Sequence, residues 1–451
     1  MQMGTRFLPF ADAASEDLPL PRLLRLSLFQ VSVAMALVLL VGTLNRVMIV
    51  ELNVPASLVA AMVAMPLLFA PLRALIGFRS DHHRSELGWR RVPYIWMGTM
   101  LQFGGLAIMP FALLVLAGAG QSSQAPAWVG QLAAAIAFLL VGAGLHTVQT
   151  AGLALATDLA PPQDHPKVVG FMYSMLLIGT IGSAFFFGQY LSEYSPGRLI
   201  QVIQASAVAT IVLNVVAMWK QEARSRQRRP GAARESDPDF AQAWAQLRGR
   251  DRAMRRLAAL GVGTMAFAMS DVLLEPYGGE ILGLSVSSTT LLTATLALGS
   301  LIGFALASRV LAAGADPWRM ASIGAAVGLP AFGAIILAAP LASGPLFVAG
   351  TFAVGLGGGL FGHGTLTSTM RMAPPEQVGL ALGAWGAVQA TGAGIAMAIA
   401  GILRDVIASS WSSLAGYEVV YLIELTLLLA ALLLMAPMAR HPQPGSGAPD
   451  Q

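Results

Sequence analysis

The 451-residue chain contains no cysteine, which excludes disulfides, thiolate metal ligands and cysteine nucleophiles together. It is also poor in charge. Asp, Glu, Lys and Arg make up 11% of it, against roughly 25% in ordinary soluble domains. A hydrophobic share of 56% and a mean hydropathy of +0.68 accompany that scarcity. No water-soluble globule is built this way, and the sequence reads as a polytopic membrane protein. The first twenty residues carry Asp12, Glu16, Asp17 and several prolines instead of a basic stretch and a small-residue cleavage site, so the first apolar run is expected to be retained. Catalytic sets are missing as well. No Ser/His/Asp arrangement, carboxylate dyad or metal-ligand cluster stands at workable spacing. The run from Gly357 to His363 lacks the Gly-Lys-Ser/Thr ending of a phosphate loop. The chain is not expected to be an enzyme.

What is present is a series of twelve apolar runs, each about 20 residues long and so long enough to span a bilayer. They fall at 26–50, 54–77, 92–117, 128–156, 168–191 and 199–219, then at 257–274, 287–310, 320–341, 346–370, 378–403 and 419–435. Of the 27 Lys and Arg residues, alternate connections place all but Arg46, Arg198 and Arg404 on one side. Basic residues resist translocation, so that side is expected to be cytoplasmic, with both termini in it. The formal charge of +4 is then a topology signal and predicts no nucleic-acid partner.

The expected organisation is a cytoplasmic tail over 1–25, a six-helix bundle over 26–219, a cytoplasmic linker over 220–256, a second six-helix bundle over 257–438 and a disordered tail over 439–451. Within the linker, Pro238 marks a first turn. Phe240, Trp244 and Leu247 then fall at helical spacing opposite Arg248 and Arg252, which predicts a helix lying on the membrane surface. The halves echo one another. Trp89-Arg90 is matched by Trp318-Arg319, and Ala160-Pro-Pro-Gln by Ala373-Pro-Pro-Glu. The fold class expected is therefore an all-α membrane protein of twelve transmembrane helices in two pseudo-symmetric bundles.

Between the second and third runs, Gly77, Asp81, Gly88, Arg90 and Arg91 form a short charged loop. Their spacing resembles the loop signature of the major facilitator superfamily, with residues 82–87 inserted. A carboxylate near one helix end and guanidinium groups near another form a conformational clamp in that pattern.

Five stretches carry a closer likeness: Gly42 to Leu52, Arg79 to Ser85 with Gly88 to Trp96, Asp271 to Glu280, Gly359 to Thr365, and Gly379 to Thr391. Together they resemble the PucC/LhaA family, the bacteriochlorophyll-delivery branch of that superfamily. The resemblance implies assembly of light-harvesting antenna complexes in the inner, intracytoplasmic photosynthetic membrane of a purple bacterium. It implies bacteriochlorophyll as cargo, with carotenoid a further candidate. The implied partners are antenna polypeptides, pigment-synthesis enzymes and membrane lipids. A secondary transporter and a pigment-free chaperone for antenna helices are the alternatives.

Ionisable groups inside the bilayer usually face a cavity or a partner. Arg46 is expected to pair with Glu275 or Asp271 between bundles, as a structural neutralisation or as a gate. Asp271, deepest of the three, is expected to be protonated or paired. His146 and His363 could each give an imidazole lone pair to the magnesium of a pigment. Their glycine neighbours leave room for a macrocycle but also allow close helix packing through faces such as Gly358-xxx-Gly362. Gln149 and Gln389 could line the same cavity or bond between helices.

Overall fold

The computed structural model describes residues 18–68, 88–118, 125–161, 164–222, 253–372 and 378–439. The surface helix expected within 237–252, the C-terminal tail, and Gly77 and Asp81 of the clamp lie outside these residues. The helices are α1 (Leu20–Glu51), α2 (Ala56–Leu68), α3 (Val92–Leu116), α4 (Ala127–Asp158), α5 (His165–Tyr190) and α6 (Pro196–Met218). After the long connection come α7 (Ala253–Glu280), α8 (Val286–Ala312), α9 (Pro317–Ala338), α10 (Gly344–Met372), α11 (Val378–Ser410) and α12 (Ser413–Ala439). Eleven of them contain a stretch long and apolar enough to cross a membrane, and α2 supplies a shorter apolar segment.

Hydrocarbon offers no partner to backbone polar groups, so these apolar runs must satisfy N–H and C=O internally, as helices do. Their starts are marked locally. Ser195, Ser285 and Asp316 each accept a backbone N–H from the residue three further on, with proline following Ser195 and Asp316. Large apolar side chains such as Phe111, Trp128, Phe186 and Leu433 point outward, as a lipid-facing surface requires.

In each half the third helix packs along the fourth, α3 on α4 and α9 on α10. Between halves, α2 lies along α11 and α5 along α8. Exchanging the halves turns the first of these contacts into the second, which is the signature of a repeat related by a two-fold axis.

Two helices depart from regularity. In α1 the chain widens into π turns over Val38–Leu44 and Val47–Glu51. Helix α7 breaks at a 3₁₀ turn, Ser270–Val272. Such irregular backbone inside a membrane protein survives where protein or a cavity covers it, and it often sits at functional positions.

At the arginine-rich end, the repeat is visible in its caps. The amide of Arg319 donates to Asp316 at 2.7 Å, and the equivalent amide of Arg90 donates to Glu222 at 2.7 Å. Glu222, just beyond α6, also accepts from the amides of Arg91 and Val92, each at 3.0 Å. A carboxylate here meets both unpaired N–H groups and the positive end of the α3 dipole. Glu222→Ala is expected to cost roughly 1–2 kcal/mol, with Glu222→Gln intermediate. Thermal unfolding in detergent reads the difference, and equal midpoints for all three proteins would remove the capping role.

Candidate functional site

The irregular stretches of α1 and α7 face each other. Asn45 donates its amide to the Val272 carbonyl at 2.7 Å, satisfying backbone that the α7 break leaves open. Thr43 meets Thr290 of α8 at 3.2 Å. Further toward the arginine-poor end, Arg46 donates to the Leu284 carbonyl at 3.2 Å, and Ser287 donates to the Gly188 carbonyl at 2.6 Å. The Ser57 amide donates to Asp405 at 2.6 Å. These hydrogen bonds join the two halves between mid-membrane and the arginine-poor end. They give that face a polar seam.

Arg46 stays within electrostatic reach of Glu275, as expected, but its ion pair forms elsewhere. Arg46 is ion-paired to Glu51 of its own helix. The π turns are the physical reason, because they bring side chains five positions apart onto one face. Glu275 instead accepts the Thr293 hydroxyl of α8 beside Gly42. Asp271 lies in the α7 break, half-buried, within electrostatic reach of Glu424 on α12. Glu424 is fully buried, and neither of its carboxylate oxygens has a hydrogen-bond partner of good geometry.

Arg404 of α11 forms the rest of the outer seam. It pairs with Glu280 at the end of α7 and with Asp405 at 2.9 Å, and its guanidinium lies 5.0 Å from the Tyr417 ring centre. Tyr417 donates to Glu280 at 2.8 Å. The sequence marks Arg404 only as one of three basic residues on the arginine-poor side and does not single out Glu424, although each is an ionisable residue within or beside an apolar run.

At the opposite end, Gly88 takes a φ of +82°, which suits glycine where the chain turns into α3. Arg90 and Arg91 bond Asp158, the last residue of α4, at 2.8 and 2.9 Å. The described part of the clamp thus ties the start of α3 to the end of α4 within one half.

The two histidines have different surroundings. His146 is half-buried on α4, and its glycine neighbours are filled. Gly142 packs on Pro66 of α2, and Gly144 lies against the backbone of Gly98 and Gln102 of α3. Gln149 is buried on the same helix, and Gln389 is half-buried on α11. His363 packs edge-on against Phe304 of α8, ring centres 4.2 Å apart, and its buried Nδ1 makes no hydrogen bond. At the preceding residue the space is open: a Cβ at Gly362 would meet no atom within 4 Å.

The small-residue packing face expected at Gly358 and Gly362 lies elsewhere on the turn. Gly355 and Gly359 are the positions pressed to α8 backbone, at Leu296 and Ser300, while Gly358 meets only Phe267, at 3.7 Å. Among the described residues no group of three or more His, Asp and Glu is placed to hold a metal ion.

Residues 43–442 match the model of a family described as PUCC protein. The chain is 63% identical over 406 residues to Protein PucC of Rhodovulum sulfidophilum, covering 90% of this chain and 89% of that one. It is 58% identical over 443 residues to Protein PucC of Rhodobacter capsulatus, covering 97% and 96%. Among solved structures, a D-xylose-proton symporter superposes with a TM-score of 0.68 at 16% identity, over 92% of this chain and 96% of that one. That likeness is one of fold, the fold of major facilitator superfamily transporters.

Proposed function

The chain belongs to the PUCC protein family, and from that premise we propose that it is a membrane assembly factor for photosynthetic antenna complexes that holds bacteriochlorophyll and hands it to antenna polypeptides. Its place would be the inner photosynthetic membrane. The observation that carries the pigment step is His363. An imidazole whose buried Nδ1 makes no hydrogen bond follows Gly362, where the space is open. The magnesium of bacteriochlorophyll takes one axial ligand, and a neutral imidazole supplies a suitable lone pair. Gly362 leaves space unfilled next to the ligand, as a flat macrocycle needs. His146 is the weaker ligand, because Pro66 and the α3 backbone fill the room its glycines leave.

Purification from a pigment-making host tests this reading. The wild-type protein is expected to carry bacteriochlorophyll absorbance, and His363→Leu to lose about tenfold of it, a change of roughly 1.4 kcal/mol in binding. His146→Leu and thermal stability serve as controls. Full pigment retention by His363→Leu removes His363 as ligand. A colourless wild-type protein that co-purifies with antenna polypeptides identifies a pigment-free chaperone instead. The broken α7 and the one-sided polar seam favour transport as a second reading. Uncoupler-sensitive solute uptake into vesicles would support it.

A further inference from the structure

We propose that Glu424 and Asp271 form an exchangeable proton-binding site whose occupancy sets how tightly α1 holds the break in α7. This goes beyond pigment handling and does not depend on it. Glu424 lies eleven residues into α12, about 16 Å along a helix rising ~1.5 Å per residue, so it sits near mid-membrane. Its side chain is fully buried, and neither oxygen has a hydrogen bond of good geometry, Ser270 being the polar group beside it. Placing an ionised carboxylate there without compensation costs several kcal/mol.

No cation among the described residues compensates it. Arg46 is engaged by Glu51 and the Leu284 carbonyl, and Arg404 by Glu280 and Asp405. Apart from Arg319, Arg404 and Asp405, α9 and α11 carry no ionisable side chain. The groups that do face Glu424 are Asp271 from α7 and Tyr421 from its own helix. Beyond Tyr421, whose ring stacks on Phe332 of α9, lie Tyr277, met edge-on at 5.5 Å, and Tyr417, which Tyr277 in turn meets edge-on at 5.3 Å. Ser270 is beside Glu424 too, but its hydroxyl donates to the Phe267 carbonyl at 2.8 Å. Two carboxyl groups thus share a site with no counter-ion, and at least one proton must be held between them.

A second observation points the same way. Asn45 Oδ1, an acceptor beside the α7 break, is also fully buried without a partner. A proton on either carboxyl gives this enclosed region a donor besides the Tyr421 hydroxyl. Asp271 is half-buried where Glu424 is fully enclosed, so it is the member through which the proton leaves. It also belongs to the 3₁₀ turn whose Val272 carbonyl Asn45 holds from α1. Removing the proton charges the turn at the point where the halves meet and loosens that contact.

Infrared difference spectroscopy on the purified full-length protein reads the proton directly. A neutral carboxylic-acid carbonyl band, sensitive to deuterium, is expected near neutral pH in the wild type and weaker in Glu424→Gln, the buried Glu275 being able to contribute a band of its own. Because the chain has no cysteine, Glu193→Cys and Trp411→Cys place spin labels on exposed positions of the two halves at the arginine-poor end. The distance between them is expected to lengthen as pH rises and to become pH-independent when Glu424→Gln is added. Asp271→Asn provides the same test should Glu424→Gln not fold. An unchanged carbonyl band together with unchanged pH response in the folded variant overturns the proposal.

Discussion

Gly355→Val is expected to yield almost no folded protein, while Gly362→Val on the same helix is expected to fold normally. The difference lies in which face each glycine occupies. Helices α8 and α10 approach through a reciprocal pair of small-residue motifs, Gly299 and Gly303 on one, Gly355 and Gly359 on the other. A Cβ at Gly355 would intrude on the Leu296 carbonyl, with the carbonyl carbon at 2.9 Å and the Ser300 amide nitrogen at 3.1 Å. A Cβ at Gly359 would meet the Ser300 carbonyl carbon and the Phe304 nitrogen, each at 3.0 Å. Those obstacles are backbone, so the side chain cannot be accommodated by a rotamer change. In lipid, helix association depends on this close van der Waals fit, because burying apolar surface gains nothing there. Overpacking of about 1–3 kcal/mol is usual for cores, and backbone collision places Gly355→Val at or above the top of that range. Gel filtration of fluorescent fusions, with thermal unfolding of whatever folds, measures it. A monodisperse Gly355→Val protein with wild-type stability would show that the two helices are not this close.

The same stripe explains part of what could be read in advance. Helix positions followed from apolar runs, because a span must satisfy its own backbone. The repeat was legible in Trp89-Arg90 and Trp318-Arg319, and the structure shows the chemistry behind it: both arginine amides end on a carboxylate. Which glycine face packs was not legible. Gly355, Gly358, Gly359 and Gly362 all offer four-residue spacings, and only the neighbouring helix selects among them. The break in α7 at Ser270–Val272 does have a local signal, Pro276, which offers no N–H to the Val272 carbonyl four residues back and leaves it to Asn45. Arg46 was misassigned because regular helical spacing puts Glu51 off its face, whereas a π turn puts it on. One signal was available and went unused. Arg46, Arg198 and Arg404 are the three basic residues on the arginine-poor side, and each is neutralised by a nearby acid: Glu51, Glu193 and Asp405. A basic residue on the unfavoured side, close in sequence to a carboxylate, marks a structural ion pair.

Of those three, Arg404 holds the most. Arg404→Met is expected to destabilise the protein strongly and to open the arginine-poor face. The guanidinium is 12% exposed and bridges Glu280 of α7 to Asp405 of α11 while lying over Tyr417 of α12. Asp405 in turn accepts the Ser57 amide at the start of α2, so it caps a helix belonging to the other half. Removing the cation leaves two carboxylates facing each other, one of them the cross-half cap. Leaving one member of a buried pair uncompensated costs about 3–5 kcal/mol; the partial exposure of Glu280 and Asp405, 27% and 22%, places this change toward the lower end. The effect should fall on the seam between halves as well as on overall stability, because α2 and α11 are one of its two helix pairs. Thermal unfolding gives the first quantity, and the distance between labels at Glu193→Cys and Trp411→Cys gives the second. Arg404→Lys keeps the charge but not the fork that reaches both acids, so it should recover stability only in part. Unchanged label distances in a destabilised Arg404→Met protein would confine the arginine to the C-terminal half, and would leave the cross-half contact to Asp405 and the α1 polar groups alone.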